Sequence, residues 1–277
     1  MCHDVSETLR FYHASLEQIA FRDELARNNP DLGDVLNFND TKIGKTYFEK
    51  KLESSGVPCR EYRDGRKRPR QTLRESIAIR DLISPRVTFT HPEFQRILNW
   101  FNHQTLTQGA DGLIETKGIF GDAHCTIDGF SYHFGTGGIH GSVESAVIEE
   151  DGQWEIWDWD VASYYPNLAI SNRFYPAHLS ETFCDVYQEV YEMRQQHKKG
   201  TAPNAMLKLA LNGVYGDSNN KWSVFYDPAY TMSITINGQL MLCMLSEWLM
   251  CDGIQMIQIN TDGLTVRVRK DRVEHMH

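Results

Sequence analysis

The sequence predicts an α+β fold, and three observations predict it. Apolar residues recur at three- and four-residue spacing near the start of the chain and again beyond Tyr175, the period of helices. Between residues 113 and 170 the pattern alternates and is cut by glycines at 118, 121, 129, 135, 137, 138 and 141, as strands and tight turns require. At 277 residues, 41% of them hydrophobic and 23% charged, the chain can bury the core of one large domain or two coupled ones.

Each element follows in order. Residues 6–27 place Leu9, Tyr12, Leu16 and Ile19 on one helical face, with Ser6 suited to cap it. NNPDLGD then breaks the chain, and a polar, mixed stretch runs to about residue 84. Within it Arg60, Arg63, Arg66, Lys67, Arg68, Arg70 and Arg74 form a basic segment, either a solvated loop or a local contact for a polyanion. A short helix is expected over 91–103 and a sheet over 113–170. Helical periodicity returns at 184–199, 204–215 and 231–250, and a hairpin closes the chain at 254–268. Methionines 232, 241, 244 and 250 read as core filling.

Composition narrows the function classes. The longest apolar run, Leu240 to Leu245, falls far short of the roughly 20 residues that cross a bilayer. The N-terminus lacks the cationic start and apolar core of a signal sequence. A cytoplasmic protein without a membrane partner is therefore the expectation. Cys2, Cys59, Cys125, Cys184, Cys243 and Cys251 form no C-x-x-C pair, which argues against a zinc ribbon or a disulfide framework. With 28 basic and 37 acidic residues the net charge is −9, so any nucleic-acid site must be local.

The residues that carry chemistry lie in the second half. In WEIWDWDVASYYPNL, strand alternation puts Trp157, Trp159 and Val161 on one face and Asp158 and Asp160 on the other, before a turn through Ser163, Tyr164, Tyr165 and Pro166. In KLALNGVYG, Lys208, Asn212 and Tyr215 share a helix face opposite Leu207, Leu211 and Val214, which suits phosphate and base recognition. In IQMIQINTDGLTVRV two strands flank Thr261-Asp262-Gly263, a hairpin signal with Asp262 at the turn. Two strand-end aspartates with a cationic helix between them are what two-metal phosphoryl transfer requires.

These three segments resemble the polymerase motifs of family B DNA polymerases, of the kind carried by phages. The first motif, D-x-x-S-L-Y-P, matches Asp160, Ser163, Tyr165 and Pro166, with Tyr164 replacing Leu. The second, K-x-x-x-N-S-x-Y-G, matches Lys208, Asn212, Tyr215 and Gly216, with Gly213 replacing Ser. The third, D-T-D, appears as Asn260, Thr261 and Asp262, lacking only its first aspartate. FGTGGIHG, which contains Gly137 and Gly138, resembles the family's glycine motif that touches the template strand.

The resemblance implies an antiparallel polymerase palm with a short helical fingers insertion, preceded by a mainly helical remnant of an exonuclease region. It divides the chain into 1–112 (remnant and linker), 113–174 (palm), 175–216 (fingers) and 217–277 (palm again, with no thumb). Asp160 and Asp262 would be the catalytic carboxylates, holding two Mg²⁺ ions with the backbone near Val161, and Mn²⁺ in their place. Ser163, Tyr164, Tyr165, Arg194, Lys198, Lys208 and Asn212 would bind the incoming dNTP, with Arg194 and Lys198 on one face of a fingers helix. Tyr165 would exclude a 2′-hydroxyl. Tyr215, Gly216, Gly137, Gly138 and Thr261 would touch the primer-template DNA. Asp158 shares the face of Asp160 but falls outside the motif register.

Residues 2–16 resemble the tail of the family's third proofreading motif, with Asp4 as its aspartate, so an exonuclease metal site is not expected in this chain. A separately encoded exonuclease or thumb fragment is the implied partner. Only 48 positions separate Asp160 from Lys208 and 46 separate Lys208 from Ile254, too few for the insertions of protein-primed relatives. Two functions remain open at the level of sequence: template-directed DNA synthesis, or a catalytically inactive nucleic-acid-binding fragment.

Overall fold

A computed structural model describes residues 2–116 and 118–275. Its helices are α1 (Cys2–Asn28), α2 (Asp40–Ser54), α3 (Pro92–Asn102), α4 (Tyr164–Asn172), α5 (Thr182–Gln195), α6 (Ala202–Gly216) and α7 (Pro228–Cys251). Its strands are β1 (Arg60–Arg63), β2 (Arg66–Pro69), β3 (Ser76–Ala78), β4 (Thr105–Thr107), β5 (His124–Ile127), β6 (Phe130–Gly135), β7 (Gly138–Ser142), β8 (Trp154–Asp160), β9 (Gln255–Asn260) and β10 (Gly263–Arg269). The mixture of helices and antiparallel strands is the α+β class expected. Two compact units interleave along the chain: Met1–Thr72 with Tyr175–Tyr226, and Leu73–Phe174 with Asp227–His277. The expected segments 113–174 and 175–216 fall in the second and first units, while 1–112 and 217–277 are each divided between the two.

The first unit is a helical cluster joined to one hairpin. Phe48 of α2 packs on Phe183 and Tyr187 of α5 and on Phe225, with ring centroids 5.4–5.8 Å apart. Two expectations change here. Helix α1 begins at Cys2, so Ser6 lies inside it and does not cap it. Of its anticipated core face Leu9, Tyr12 and Leu16 are exposed and Ile19 is half-buried, and the helix instead buries Leu25. The basic segment is not a loop. Asp64 and Gly65, both at positive φ, form the two-residue turn of hairpin β1–β2, because a D-G pair tolerates the left-handed backbone such turns demand. Arg60 is paired with Glu49 and Arg63 with Glu61, which leaves Arg66, Lys67 and Arg68 as exposed cations on β2.

The second unit is built on a six-stranded sheet in the order β5-β6-β7-β9-β10-β8, every neighbouring pair antiparallel. One face is apolar: Cys125, Tyr132, Phe134, Ile139, Ile259, Leu264 and Val266 are all buried. Helix α7 packs against β7, β9 and β10. It starts at Pro228, earlier than its apolar period suggests, because Asp227 caps it by accepting from the Ala229 amide. By length and composition α7 would suffice to cross a membrane, but 67% of that stretch is buried. Within it Asn237 takes part in three hydrogen bonds, donating to Leu82 and Ser233 carbonyls and accepting from the Ser84 amide. Of the four methionines expected to fill the core of this helix, Met232 is buried and Met241, Met244 and Met250 are half-buried.

Candidate active site

The central feature is the edge where β8 and β10 end. Their register sets Asp160 directly opposite Gly263 and Asp158 opposite Thr265. The Thr265 hydroxyl donates to Asp158 at 2.6 Å, so Asp158 is held within the sheet while Asp160 stands at its end. Val161 leaves the strand, since its amide donates to the Asp262 carbonyl at 2.9 Å and ties the β8 terminus to the hairpin turn. Gly263 is required for this approach: a Cβ there would come within 2.8 Å of the Trp159 carbonyl oxygen and would collide with the Asp160 carboxylate.

Thr261 and Asp262 form the two-residue turn between β9 and β10, with Thr261 in the left-handed region at φ 48°. The Asp262 carboxyl is raised above the ordinary carboxylate range, first by burial and then by the negative charge of Asp160. The charge of Asp160 thus acts on Asp262 at the strand ends. No three His, Cys, Asp or Glu side chains converge among the described residues. Mg²⁺ binds protein through one or two carboxylates and takes its remaining oxygens from water and phosphate, so Asp160 and Asp262 are the residues that could hold it.

The glycine turn and the tyrosine pair join the same site. The Thr261 amide donates to the Ile139 carbonyl at 2.9 Å, which lays β7 beside the turn. A Cβ on Gly138, at φ 141°, would meet Thr261 at 3.2–3.3 Å. The Tyr165 hydroxyl donates to the Gly137 carbonyl at 3.5 Å, so its ring borders the glycine turn. Ser163, at φ 50°, is the left-handed entry to α4. Tyr164 departs from the expectation of a nucleotide contact. Its ring is buried and its hydroxyl donates to the Gly238 carbonyl of α7 at 2.5 Å, so only its backbone faces outward chemistry. Burial raises that hydroxyl well above the ordinary tyrosine range.

In the first unit α6 carries Lys208 and Asn212 exposed and Tyr215 half-buried, while Leu207, Leu211 and Val214 are buried, so the helix has the polar face expected of it. Gly216 ends the helix, and the Asp217 that follows pairs with Lys45 of α2 at 2.5 Å. Arg194 lies in the last turn of α5, but Lys198 does not share its helix. Helix α5 stops at Gln195 because the Asn204 amide takes up the Arg194 and His197 carbonyls and the chain turns through Lys198–Thr201. The expected shared face of Arg194 and Lys198 is therefore absent.

Two residues of α7 escaped the motif reading. The Gln239 side-chain oxygen accepts from the Gly135 amide at 2.9 Å and anchors the glycine hairpin. Gly238 lets α4 close on α7, where a Cβ would meet Leu168 at 3.1 Å. A fully buried glutamine in an apolar helix was the available signal.

No protein-family model matches the chain, and no curated protein matches it. Among solved structures, the chain is similar to the family B DNA polymerase from the hyperthermophilic archaeon Pyrobaculum calidifontis, at 17% identity and a TM-score of 0.31. The likeness covers 47% of this chain and 22% of that one, so the chain spans about a fifth of that polymerase. It is too distant to bear on activity.

Proposed function

We propose that this chain carries the nucleotidyl-transfer site of a template-directed DNA polymerase of family B, phage type. The observation that supports the reading best is the convergence, at one sheet edge, of three separate motif matches: Asp160, Asp262 and the Gly137–Gly138 turn, with Tyr165 beside them. Asp160, Asp262 and the Val161 carbonyl would hold two Mg²⁺ ions, or Mn²⁺, which when bound activate the primer 3′-hydroxyl and neutralise the leaving pyrophosphate.

The chain's own residues supply positioning. The Gly263 gap lets Asp160 reach the strand end without a side chain in its way. Tyr165, fixed by Pro166 and the Gly137 carbonyl, offers an uncharged bulky ring, which is what exclusion of a 2′-hydroxyl needs. The polar face of α6 would take the triphosphate through Lys208 and the base through Asn212 and Tyr215, with Arg194 and Lys198 as further cations. Exposed Arg66, Lys67 and Arg68 are the most concentrated positive surface for the phosphate backbone. With a net charge of −9, DNA binding should be weak and salt-sensitive.

The test is Mg²⁺-dependent primer extension at low salt, by the chain alone and with a thumb-bearing fragment added. Extension is expected in at least one arm and is lost in Asp262→Ala. Extension that survives Asp262→Ala, or none in either arm, would overturn the proposal.

A further inference from the structure

Six residues in direct cross-strand register form one row across the whole sheet of the second unit. They are His124 on β5, His133 on β6, His140 on β7, Asn260 on β9, Gly263 on β10 and Asp160 on β8. Directly opposed residues of antiparallel strands share a face, so three imidazoles and an amide lead in a line to the carboxylate pair. This is the sheet face opposite the buried one, and His124, His133, His140 and Asn260 are all exposed on it.

The chemistry of that row is specific. The rings of His124 and His133 lie nearly parallel, 19° between planes, with centroids 6.0 Å apart. A groove of about 450 Å³ runs over His133 and His140 and is flanked by Ser131, Ser142 and Gln258. Flat rings at strand spacing, separated by hydroxyls and amides, offer stacking surfaces and hydrogen-bonding groups but little fixed charge. The only carboxylate lining the groove is Glu144. At the row's outer end the Arg96 guanidinium donates to the His124 carbonyl and is engaged by Glu93. A surface that followed phosphates would need Lys and Arg, whereas unpaired bases stack on aromatic faces and bond through their edges.

We infer that the histidine row is a stacking track for a single-stranded nucleic-acid segment passing the Asp160–Asp262 edge. It rests on the polymerase reading and adds to it a binding surface that runs beyond the motifs, to His133 and His124. The strand lies with its bases on the imidazoles and its backbone toward solvent, so its affinity depends on aromatic rings more than on counterion release.

The experiment measures binding of a fluorescent oligo(dT) to the full chain by anisotropy, across a range of salt. The His133→Ala/His140→Ala double variant should weaken binding about tenfold, the size of a lost base-stacking contact. The His133→Phe/His140→Phe variant, which keeps the rings and removes their nitrogens, should stay within about twofold of the wild type. Both changes are at exposed positions, and thermal melting confirms that the variants fold. No binding by the wild type, an alanine variant that binds as well as the wild type, or a phenylalanine variant as weak as the alanine one would each overturn the track. Primer extension run in parallel separates the two readings. Ring-dependent binding without extension leaves the track standing and removes the polymerase, and extension without ring dependence does the reverse.

Discussion

Gly263→Ala tests the geometry on which the site depends. The added methyl group would sit 2.8 Å from the Trp159 carbonyl oxygen and closer still to the Asp160 carboxylate. The carboxylate can rotate away, but the carbonyl belongs to the β8–β10 ladder and cannot, so the strand ends must part. Overpacking of this kind costs about 1–3 kcal/mol. Loss of glycine's freedom in the unfolded chain returns about 0.4–1 kcal/mol, which leaves a net destabilisation of about 1–2 kcal/mol. For a unit of this size the melting temperature should fall by roughly 2–8 °C. Gly152→Ala is the control, since a Cβ there meets nothing within 4 Å and should leave stability unchanged or slightly higher. Differential scanning fluorimetry of the two variants decides the matter. If Gly263→Ala melts with the wild type, the close approach of β8 to β10 at Asp160 is wrong, and the paired-carboxylate site is wrong with it.

Three further outcomes are expected. Arg74→Ala strips the bidentate partner, at 2.7 and 2.9 Å, from an Asp227 that is fully buried, and should cost about 3–5 kcal/mol in denaturant unfolding; Arg74→Lys should recover part of the loss. Gly44→Ala would drive a methyl group to 2.6–2.7 Å from the Ala210 backbone where α2 crosses α6, so it should destabilise the first unit by about 1–3 kcal/mol despite better helix propensity, as urea titration of tryptophan fluorescence would show. Tyr165→Ala should raise ribonucleotide incorporation relative to deoxyribonucleotide in primer extension, and unchanged discrimination would assign the gate to another residue.

Much of the local structure was legible because short-range periodicity governs it. The α6 face of Lys208 and Asn212, the Thr-Asp-Gly hairpin and the glycine-cut strands all follow from spacing. What escaped depends on partners distant in sequence. Tyr164 reads as an active-site tyrosine until Gly238 of α7 is seen accepting its hydroxyl. Lys198 continues a helical period, yet the amide of Asn204 ends the helix before it. The exposed face of α1 carries a core-like pattern, and no periodicity reveals that the helix is packed only near Leu25. The Asp64-Gly65 turn is legible as a D-G pair, although the arginines around it carry no strand alternation of apolar residues. The histidine row could not be seen at all, because it exists only once five strand registers are known.

The sheet order also governs when the site can come into being. Strand β8 sits at the sheet edge and pairs with β10 alone, and its Asp158 meets a Thr265 that lies 107 positions later in the chain. During synthesis β5, β6 and β7 can zip as successive hairpins as soon as they emerge, but β8 must wait, its tryptophans unsheltered, until β10 has been made. Loop closure over that distance is slow and leaves an unpaired strand open to misassembly. Asp160 thus reaches its place only after β10 is made, and the rate at which β10 docks sets the pace at which the two carboxylates meet.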